Sequence, residues 1–568
     1  MTELTAPSRR EAMAGLSAAT LALGLSTAEA AHAASQDVFR HGVASGDPDA
    51  SSLVLWTRVT ATAPVEVEWE IAADESFSRP LRRGRLRTGP ERDFTVKVLA
   101  SGLDAGGRYV YRFRALGETS PVGRTQTLPR GRLDRLGVAL VSCSNYAFGY
   151  FNAYAAIAGD EAVDVVLHTG DYIYEYAADG WGSETARTLG RVHEPAGEIV
   201  TLSDYRTRHA QYKTDAGSKA MLAAKPLLCC WDDHESANNP WTGGAENHQP
   251  ATEGDWAARR EAALQAYYEW MPIRDPAPGR TRAQFWRSYV FGDLATLCTL
   301  ETRHTARALQ VDYSDWRDKV KRREDAEALE RETIGAPGRR LIGPDQEADL
   351  SAAWRASVAA GQPWRLVGNP MPIARTRVPD VVTLGLVPDP SGPSASANPA
   401  AAVLAWKGRM NLPFYPDTWD GYAWARERFY ASARDAGATD LVFLTGDSHS
   451  FWANQLADGE GRPAGVEIGT AGVTSPGDFV ESGFGVATAG RLDQALADHN
   501  PEVLWTDNLH QGYVRLELSR TTGLATYLAT PGVDRPGREV QVLRRCRIDR
   551  RSSGLILQDT QGQDRTGA

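Results

Sequence analysis

Four apolar runs, each ending in a polar cluster, constrain this chain more than any other feature of it. Residues 138–141 run into Ser142-Cys143-Ser144-Asn145-Tyr146, and residues 163–167 lead to Gly170-Asp171-Tyr172-Ile173-Tyr174-Glu175. Residues 226–230 end in Trp231-Asp232-Asp233-His234-Glu235, and residues 441–444 end in Thr445-Gly446-Asp447-Ser448-His449. Short apolar runs bounded by turn formers read as strands buried on both faces. Two more such runs, 294–300 and 364–367, lie between the third and the fourth. Amphipathic stretches at 203–222, 255–270 and 346–360 read as helices, so the pattern predicts a layered α/β domain. Open α/β sheets place ligands beyond the carboxyl ends of their strands. The four polar clusters are therefore expected to converge on one site.

Residues 36–130 have a different period. Val65-Glu66-Val67-Glu68-Trp69-Glu70-Ile71 alternates strictly, and Phe94-Thr95-Val96-Lys97-Val98 does so again. The segment from Leu103 to Phe113 joins a Gly-Gly turn to an alternating aromatic strand, and it resembles the tyrosine corner of a fibronectin type III-like sandwich. The expected organisation is a β-sandwich over 34–131 followed by an α/β domain over 132–568. Stretches 238–253 and 388–402, rich in Pro, Gly, Ser, Asn and Ala, read as surface loops, and no internal repeat is present.

The first 33 residues read as an export signal rather than as part of the fold. Ser8-Arg9-Arg10 precedes an apolar stretch over 13–27, and Ala31-His32-Ala33 offers small residues for cleavage. This is the twin-arginine type, which implies recognition by the twin-arginine export machinery and a periplasmic or secreted destination. The remaining reading for this stretch is an N-terminal helix. The 62 Lys and Arg against 72 Asp and Glu give a net charge of −10, which offers no electrostatic case for a nucleic-acid partner. Five cysteines in 568 residues do not make a disulfide framework. A monomer is expected.

The strand-end clusters carry a family resemblance. Gly170-Asp171-x-x-Tyr174 resembles the second motif of purple acid phosphatases, in which the Asp bridges two metals and the Tyr binds iron. Asp233-His234-Glu235 stands where calcineurin-like metallophosphatases have Asn-His-Glu, and Gly446-Asp447-Ser448-His449 where they have Gly-His-x-His. The variants found here, with Ser-Cys-Ser ahead of them, are similar to the PhoD-like branch of alkaline phosphatases and phosphodiesterases. So are the β-rich start and Tyr205-Arg206-x-Arg208-His209-Ala210-Gln211-Tyr212-Lys213. The resemblance spans roughly residues 36–530. It implies a four-layer αββα sandwich and an exported phosphoric ester hydrolase acting on mono- or diesters.

Placed on this sequence, the resemblance suggests two metal sites. If Cys143, Asp171, Tyr174 and His449 hold the first, the hard phenolate and carboxylate oxygens beside a thiolate favour Fe(III). The second would take Asp171, Asp233, Asp447 and Asn369, the last because 364–369 sits where the superfamily has a strand ending in a metal-binding His. That set is all oxygen, which favours Ca(II) over zinc. Two cations sharing Asp171 would supply a metal-activated hydroxide for in-line attack. His234 is the residue expected to hydrogen-bond phosphate or protonate the leaving oxygen, with Asn239 beside it. Arg303 either holds a phosphate oxygen or forms a salt bridge with Glu301 or a helix. Asp232 orients a ligand or caps a turn, whereas Cys229, Cys230 and His168 read as structural. A phospholipase D-type phosphodiesterase on the same centre, and a non-catalytic secreted binding protein, are the competing readings.

Overall fold

The computed structural model describes residues 38–392 and 398–560; the export segment at 1–33 lies outside them. Two large sheets face each other. The first has ten strands, and its middle is parallel: Arg135–Val141, Val165–His168, Leu227–Cys229 and Val43–Gly46 lie side by side. The second has seven strands, with Ala295–Thr299, Trp364–Asn369, Leu441–Thr445 and Pro463–Gly469 parallel in that order. All six apolar runs therefore become neighbouring central strands.

These strands are apolar throughout because both of their faces are covered. Between the sheets, Val138, Leu140, Val165 and Leu167 of the first meet Leu297, Leu366, Leu444 and Val466 of the second in one dry core. Complete burial of each such side chain is worth about 1.5–3 kcal/mol. On the outside of the first sheet, Tyr154, Tyr205, Tyr212, Leu264 and Trp270 cover Val141, Val166 and Cys229. On the outside of the second, Trp354, Phe429 and Tyr430 cover Val367 and Phe443. The layers run α, β, β, α, as expected.

The helices follow the amphipathic stretches with one break. The 203–222 stretch forms Leu202–Tyr212 and Ala216–Ala224, because the Asp215 side chain accepts from the N–H groups of Gly217 and Ser218 and starts a new helix. Trp256–Trp270 and Pro344–Ala359 are continuous. Helix Pro399–Met410 begins inside the stretch expected to be loop, with the Asn398 side chain accepting from Ala400 N–H at its start.

The N-terminal β region holds the expected corner: the Tyr109 hydroxyl accepts from Asp104 N–H at 2.9 Å and donates to Asp104 C=O at 3.1 Å. One layer of its sandwich is a five-stranded sheet built on Val65–Ala72 and Arg108–Ala115. The other layer is not separate. Val43–Gly46, Ser52–Arg58 and Thr95–Ser101 extend the ten-stranded sheet, joined to it by the parallel pair Gly46↔Leu227. The opposite edge is formed by Gly512–Ser519, Thr522–Ala529, Gln541–Arg551 and Gly554–Asp559, an antiparallel run absent from the sequence expectation. Among the described residues no helix is long and apolar enough to cross a membrane.

Candidate metal centre

Three of the four polar clusters leave their strands through backbone that L-residues rarely adopt, and the third is followed by such a residue at Asn239. Cys143, Asp171, Asp447 and His449 have φ of 58°, 55°, 67° and 53°, and Asn239 has 50°. A non-glycine residue in this left-handed region costs about 1–3 kcal/mol, and such strain gathers at functional sites. Gly170 makes the second turn possible: its φ is +115°, and a Cβ there would sit 2.4 Å from Asp232 N.

Cys143, Asp171 and Asp233 come from the ends of the first sheet, and Asp447 and His449 from the second, so the centre lies across both. Cys143 Sγ is 3.3 Å from Asp171 Oδ2, and Tyr174 Oη is 3.4 Å from the same oxygen. Tyr174 Oη also lies 3.3 Å from His449 Nε2 and 2.8 Å from Ser475 Oγ. The other ring nitrogen of His449 meets Pro476 C=O at 3.0 Å, which turns Nε2 toward the cluster. Three groupings have potential ligand atoms within 4.8 Å of one another: Cys143, Asp171 and His449; Asp171, Asp233 and His234; and Asp232, Asp233 and Asp447.

The charge balance shows what this cluster lacks. Burial, then the neighbouring Asp171, pushes the Cys143 thiol well up; burial, then Cys143, does the same to the Tyr174 phenol. Burial drives Asp171 and Asp447 well above the carboxylate range, with Asp233 and Asp232 as their respective strongest repellers. Burial also opposes ionisation of Asp233, but His234 and Arg303 outweigh it and hold that carboxyl low. His449 is lowered to about 4 by burial, then by His234. Among the described residues, Asp232 Oδ2 and Asp233 Oδ1 are buried without a hydrogen-bond partner. Orphaned carboxylate oxygens beside a thiol and a phenol fit metal cations.

The remaining expected residues fall around this core. His234 Nδ1 meets Glu175 Oε2 at 2.7 Å, its ring stacks on Tyr174 at 4.3 Å, and Nε2 lies 3.9 Å from Asp233 Oδ2. Burial opposes its protonation, but Asp233, Glu175 and Asp171 outweigh it and raise it well above the usual histidine value. Asn239 donates its backbone N–H to Asp233 Oδ2 at 3.0 Å and its side chain to Glu246. Asn369 ends its strand as expected, but its amide donates to Met371 C=O at 2.6 Å and accepts from Trp419 Nε1 at 3.2 Å. Both ends of that amide are thus engaged outside the carboxylate cluster. Arg303 is fully buried, with Nε 2.5 Å from Asp232 Oδ1 and Nη2 3.1 Å from Asp447 Oδ1 and 3.7 Å from Asp233 Oδ1. Glu301, its expected ion-pair partner, instead accepts the Arg303 backbone N–H.

Two acids hold the scaffold. Glu235 accepts the N–H groups of Asp171, Tyr172 and Asp232, tying the second and third turns together. Those bonds oppose the effect of burial, which raises its carboxyl to about 7. Glu175, to which the sequence reading gave no role, fixes His234 and accepts from Asn238 N and Asn247 Nδ2. Its position next to Tyr174 was the available signal. Cys229, Cys230 and His168 are buried in the core, His168 bonded to the Tyr154 hydroxyl.

An αββα sandwich with carboxylates, imidazole, thiol and phenol gathered across the strand ends of both sheets is the layout of a metal-dependent phosphoesterase. The family profile described as PhoD-like phosphatase matches residues 138–527, and that of the PhoD-like phosphatase N-terminal domain matches 25–129. Alkaline phosphatase D of Bacillus subtilis (strain 168) is 34% identical over 516 residues, covering 88% of this chain and 79% of that one. A solved structure, "Structure of PhoD", superposes with a TM-score of 0.73 at 31% identity, covering 92% of this chain and 93% of that one. The chain belongs to the PhoD-like phosphatase family. It is a phosphoric ester hydrolase, and its substrates are phosphate esters.

Proposed function

We propose that the protein is an exported alkaline phosphatase and phosphodiesterase with a binuclear Fe(III)–Ca(II) centre. Cys143, Asp171, Tyr174 and His449 would hold iron; Asp171, Asp233 and Asp447 would hold calcium, with Asp232 as a further oxygen donor beside them. When bound, these cations supply Lewis-acid stabilisation of the phosphoryl charge and lower the pKa of water. The observation that carries the reading is the convergence of a thiol and a phenol on Asp171, at 3.3 and 3.4 Å, with an imidazole 3.3 Å from the phenol.

The chain's own residues do the rest. Glu175 occupies Nδ1 of His234, so Nε2 is the atom free to bind a phosphate oxygen or donate a proton to the leaving alkoxide. Arg303 spreads one fixed positive charge over Asp232, Asp233 and Asp447 and holds them in register. Asn239 N–H points Asp233 toward the cluster. The twin arginines Arg9 and Arg10 would direct the folded protein to the periplasm or the exterior.

The test is colour and metal content. A tyrosinate on Fe(III) absorbs visible light by charge transfer, which calcium, zinc and magnesium cannot do. The loaded protein should contain iron, and Tyr174→Phe should abolish the tyrosinate band while the protein stays folded. A colourless, iron-free, fully active enzyme would overturn the metal assignment. A phospholipase D-type reading draws on Trp181, whose indole stacks on His449 at 5.8 Å and 12° and places an apolar wall at the centre. Turnover of p-nitrophenyl phosphate, bis-p-nitrophenyl phosphate and a phospholipid separates the two readings.

A further inference from the structure

The N-terminal region has a charge sign opposite to that of the chain. Residues 38–131 contain 14 Lys and Arg against 11 Asp and Glu, although the whole chain is at −10. Thirteen of the 14 are arginine. The sheet geometry sorts five of these arginines onto one face. In strand Val65–Ala72, residues Val67 and Ile71 point into the core, so Glu66, Glu68 and Glu70 point out. The register sets Arg87, Arg85 and Arg83 opposite these three glutamates on one side, and Arg114 and Arg112 opposite Glu68 and Glu70 on the other.

The outer face is therefore a ladder whose central rail is glutamate and whose two flanking rails are arginine. Five arginines meet three glutamates. Arg85 pairs with Glu68 at 2.6 Å and Glu66 at 3.5 Å; Arg112 and Arg114 both take Glu70, at 2.6 and 3.1 Å. Arg83 and Arg87 are exposed and have no ion pair among the described residues. The rungs bound an open cavity of about 460 Å³. Successive rungs are two residues apart, roughly 6.8 Å along the strand. Each complete rung carries two guanidinium groups to one carboxylate, so the positive excess repeats along the face.

We propose that this ladder docks a linear phosphodiester polyanion through its backbone phosphates. Arginine offers paired N–H donors that match phosphate oxygens, and a repeating excess charge suits a repeating anion. The rings at this face are already packed: Trp69 is half-buried against the core and Gly84, and Phe77 is buried beneath the Arg112 guanidinium at 4.0 Å, so backbone phosphates rather than bases would be read. The proposal goes beyond the metal centre: it assigns a second, non-catalytic contact for a polymer whose esters the centre would cleave. Its binding readout does not depend on turnover.

The experiment is fluorescence anisotropy on the full-length protein with a labelled abasic deoxyribose-phosphate oligomer, a polythymidine of equal length, and an uncharged methylphosphonate analogue. Expected are similar affinities for the first two, loss of binding for the third, and a log–log salt slope of about −0.7 per arginine engaged. Five contacts would weaken binding about 100-fold between 50 and 200 mM salt. Arg83→Glu with Arg87→Glu should weaken binding about tenfold or more and flatten the slope, leaving hydrolysis of p-nitrophenyl phosphate unchanged. Absence of binding at low salt, or a double variant that binds as the parent does, overturns the proposal. So does capture by phosphatidylglycerol vesicles in place of the oligomer, which would make the face a membrane contact. If binding behaves as expected but no ester is turned over, the functional reading of the centre fails while the docking face stands.

Discussion

Arg303→Met should turn the folded centre into one that depends on added cations for its stability. In the parent, one guanidinium serves Asp232 Oδ1 and Asp447 Oδ1 and lies 3.7 Å from Asp233 Oδ1, all with almost no solvent. Methionine fills similar volume but donates nothing. Asp232 Oδ1 and Asp447 Oδ1 then join Asp232 Oδ2 and Asp233 Oδ1 as oxygens without a hydrogen-bond donor. Removing one partner from a buried ionic network costs about 3–5 kcal/mol, because the opposite charges remain buried and uncompensated. Two further orphaned acceptors at about 1–3 kcal/mol each give the same range independently. The assay is urea unfolding followed by tryptophan fluorescence, in chelator and in excess calcium. In chelator the variant should lose that amount; calcium at about 100 times its dissociation constant should return about 2.7 kcal/mol by mass action. A variant as stable as the parent in chelator would refute the reasoning, since the carboxylates would then be neutral and the cluster would need no positive charge.

Other consequences can be checked directly. Lys213 is fully buried and has no carboxylate partner among the described residues, its Nζ donating to the Tyr172 hydroxyl at 3.1 Å beside the rings of Trp56 and Tyr172. Burial lowers its pKa to about 7, so between about 7 and the unfolded value of 10.5 the unfolded chain binds the extra proton. Stability should therefore rise with pH across that window, and Lys213→Met should remove the rise and be the more stable protein at pH 7, as read by unfolding midpoints. Glu175→Gln should leave the fold intact but release His234 Nδ1, lowering kcat about 100-fold with little change in metal content. Gly170→Ala should yield protein that retains little metal, since the new Cβ meets Asp232 N at 2.4 Å in a backbone conformation closed to alanine.

What the residues alone revealed was local. The four strand-end clusters were visible because a strand buried on both faces is an apolar run, and the polar residues after it stand out against that run. Trp256–Trp270 and Pro344–Ala359 were visible as amphipathic stretches, and Tyr109 through its turn and alternating aromatics. What stayed hidden depends on distant pairing. Nothing near Gly46 encodes that it will lie beside Leu227, and although Val514-Arg515-Leu516-Glu517-Leu518 alternates as a strand does, nothing in it encodes pairing with Arg135–Val141 far back in the chain. At the centre, side-chain type was legible and side-chain partner was not. Arg303 was readable as a charge but not as the hub of Asp232, Asp233 and Asp447. Asn369 was readable as a strand-end donor, but its engagement by Met371 and Trp419 comes from a loop and a distant helical turn. Glu175 stood out only by its place next to Tyr174, because a buried acid and an exposed one look alike in sequence.

The single parallel pairing of Gly46 with Leu227 has a mechanical meaning. A bead on a string can be pulled from its neighbour by stretching the string; here the leading region is a plank nailed into the same floor as the catalytic strands. A tug on residue 38 is carried sideways through main-chain hydrogen bonds to the strand that ends beside Asp232 and Asp233. During synthesis, Val43–Gly46 emerges some 180 residues before its partner on that side and must keep an open edge until Leu227 arrives. The sandwich is therefore poor material for domain shuffling: cutting the chain near residue 131 would bare two sheet edges at once, each a template for aggregation.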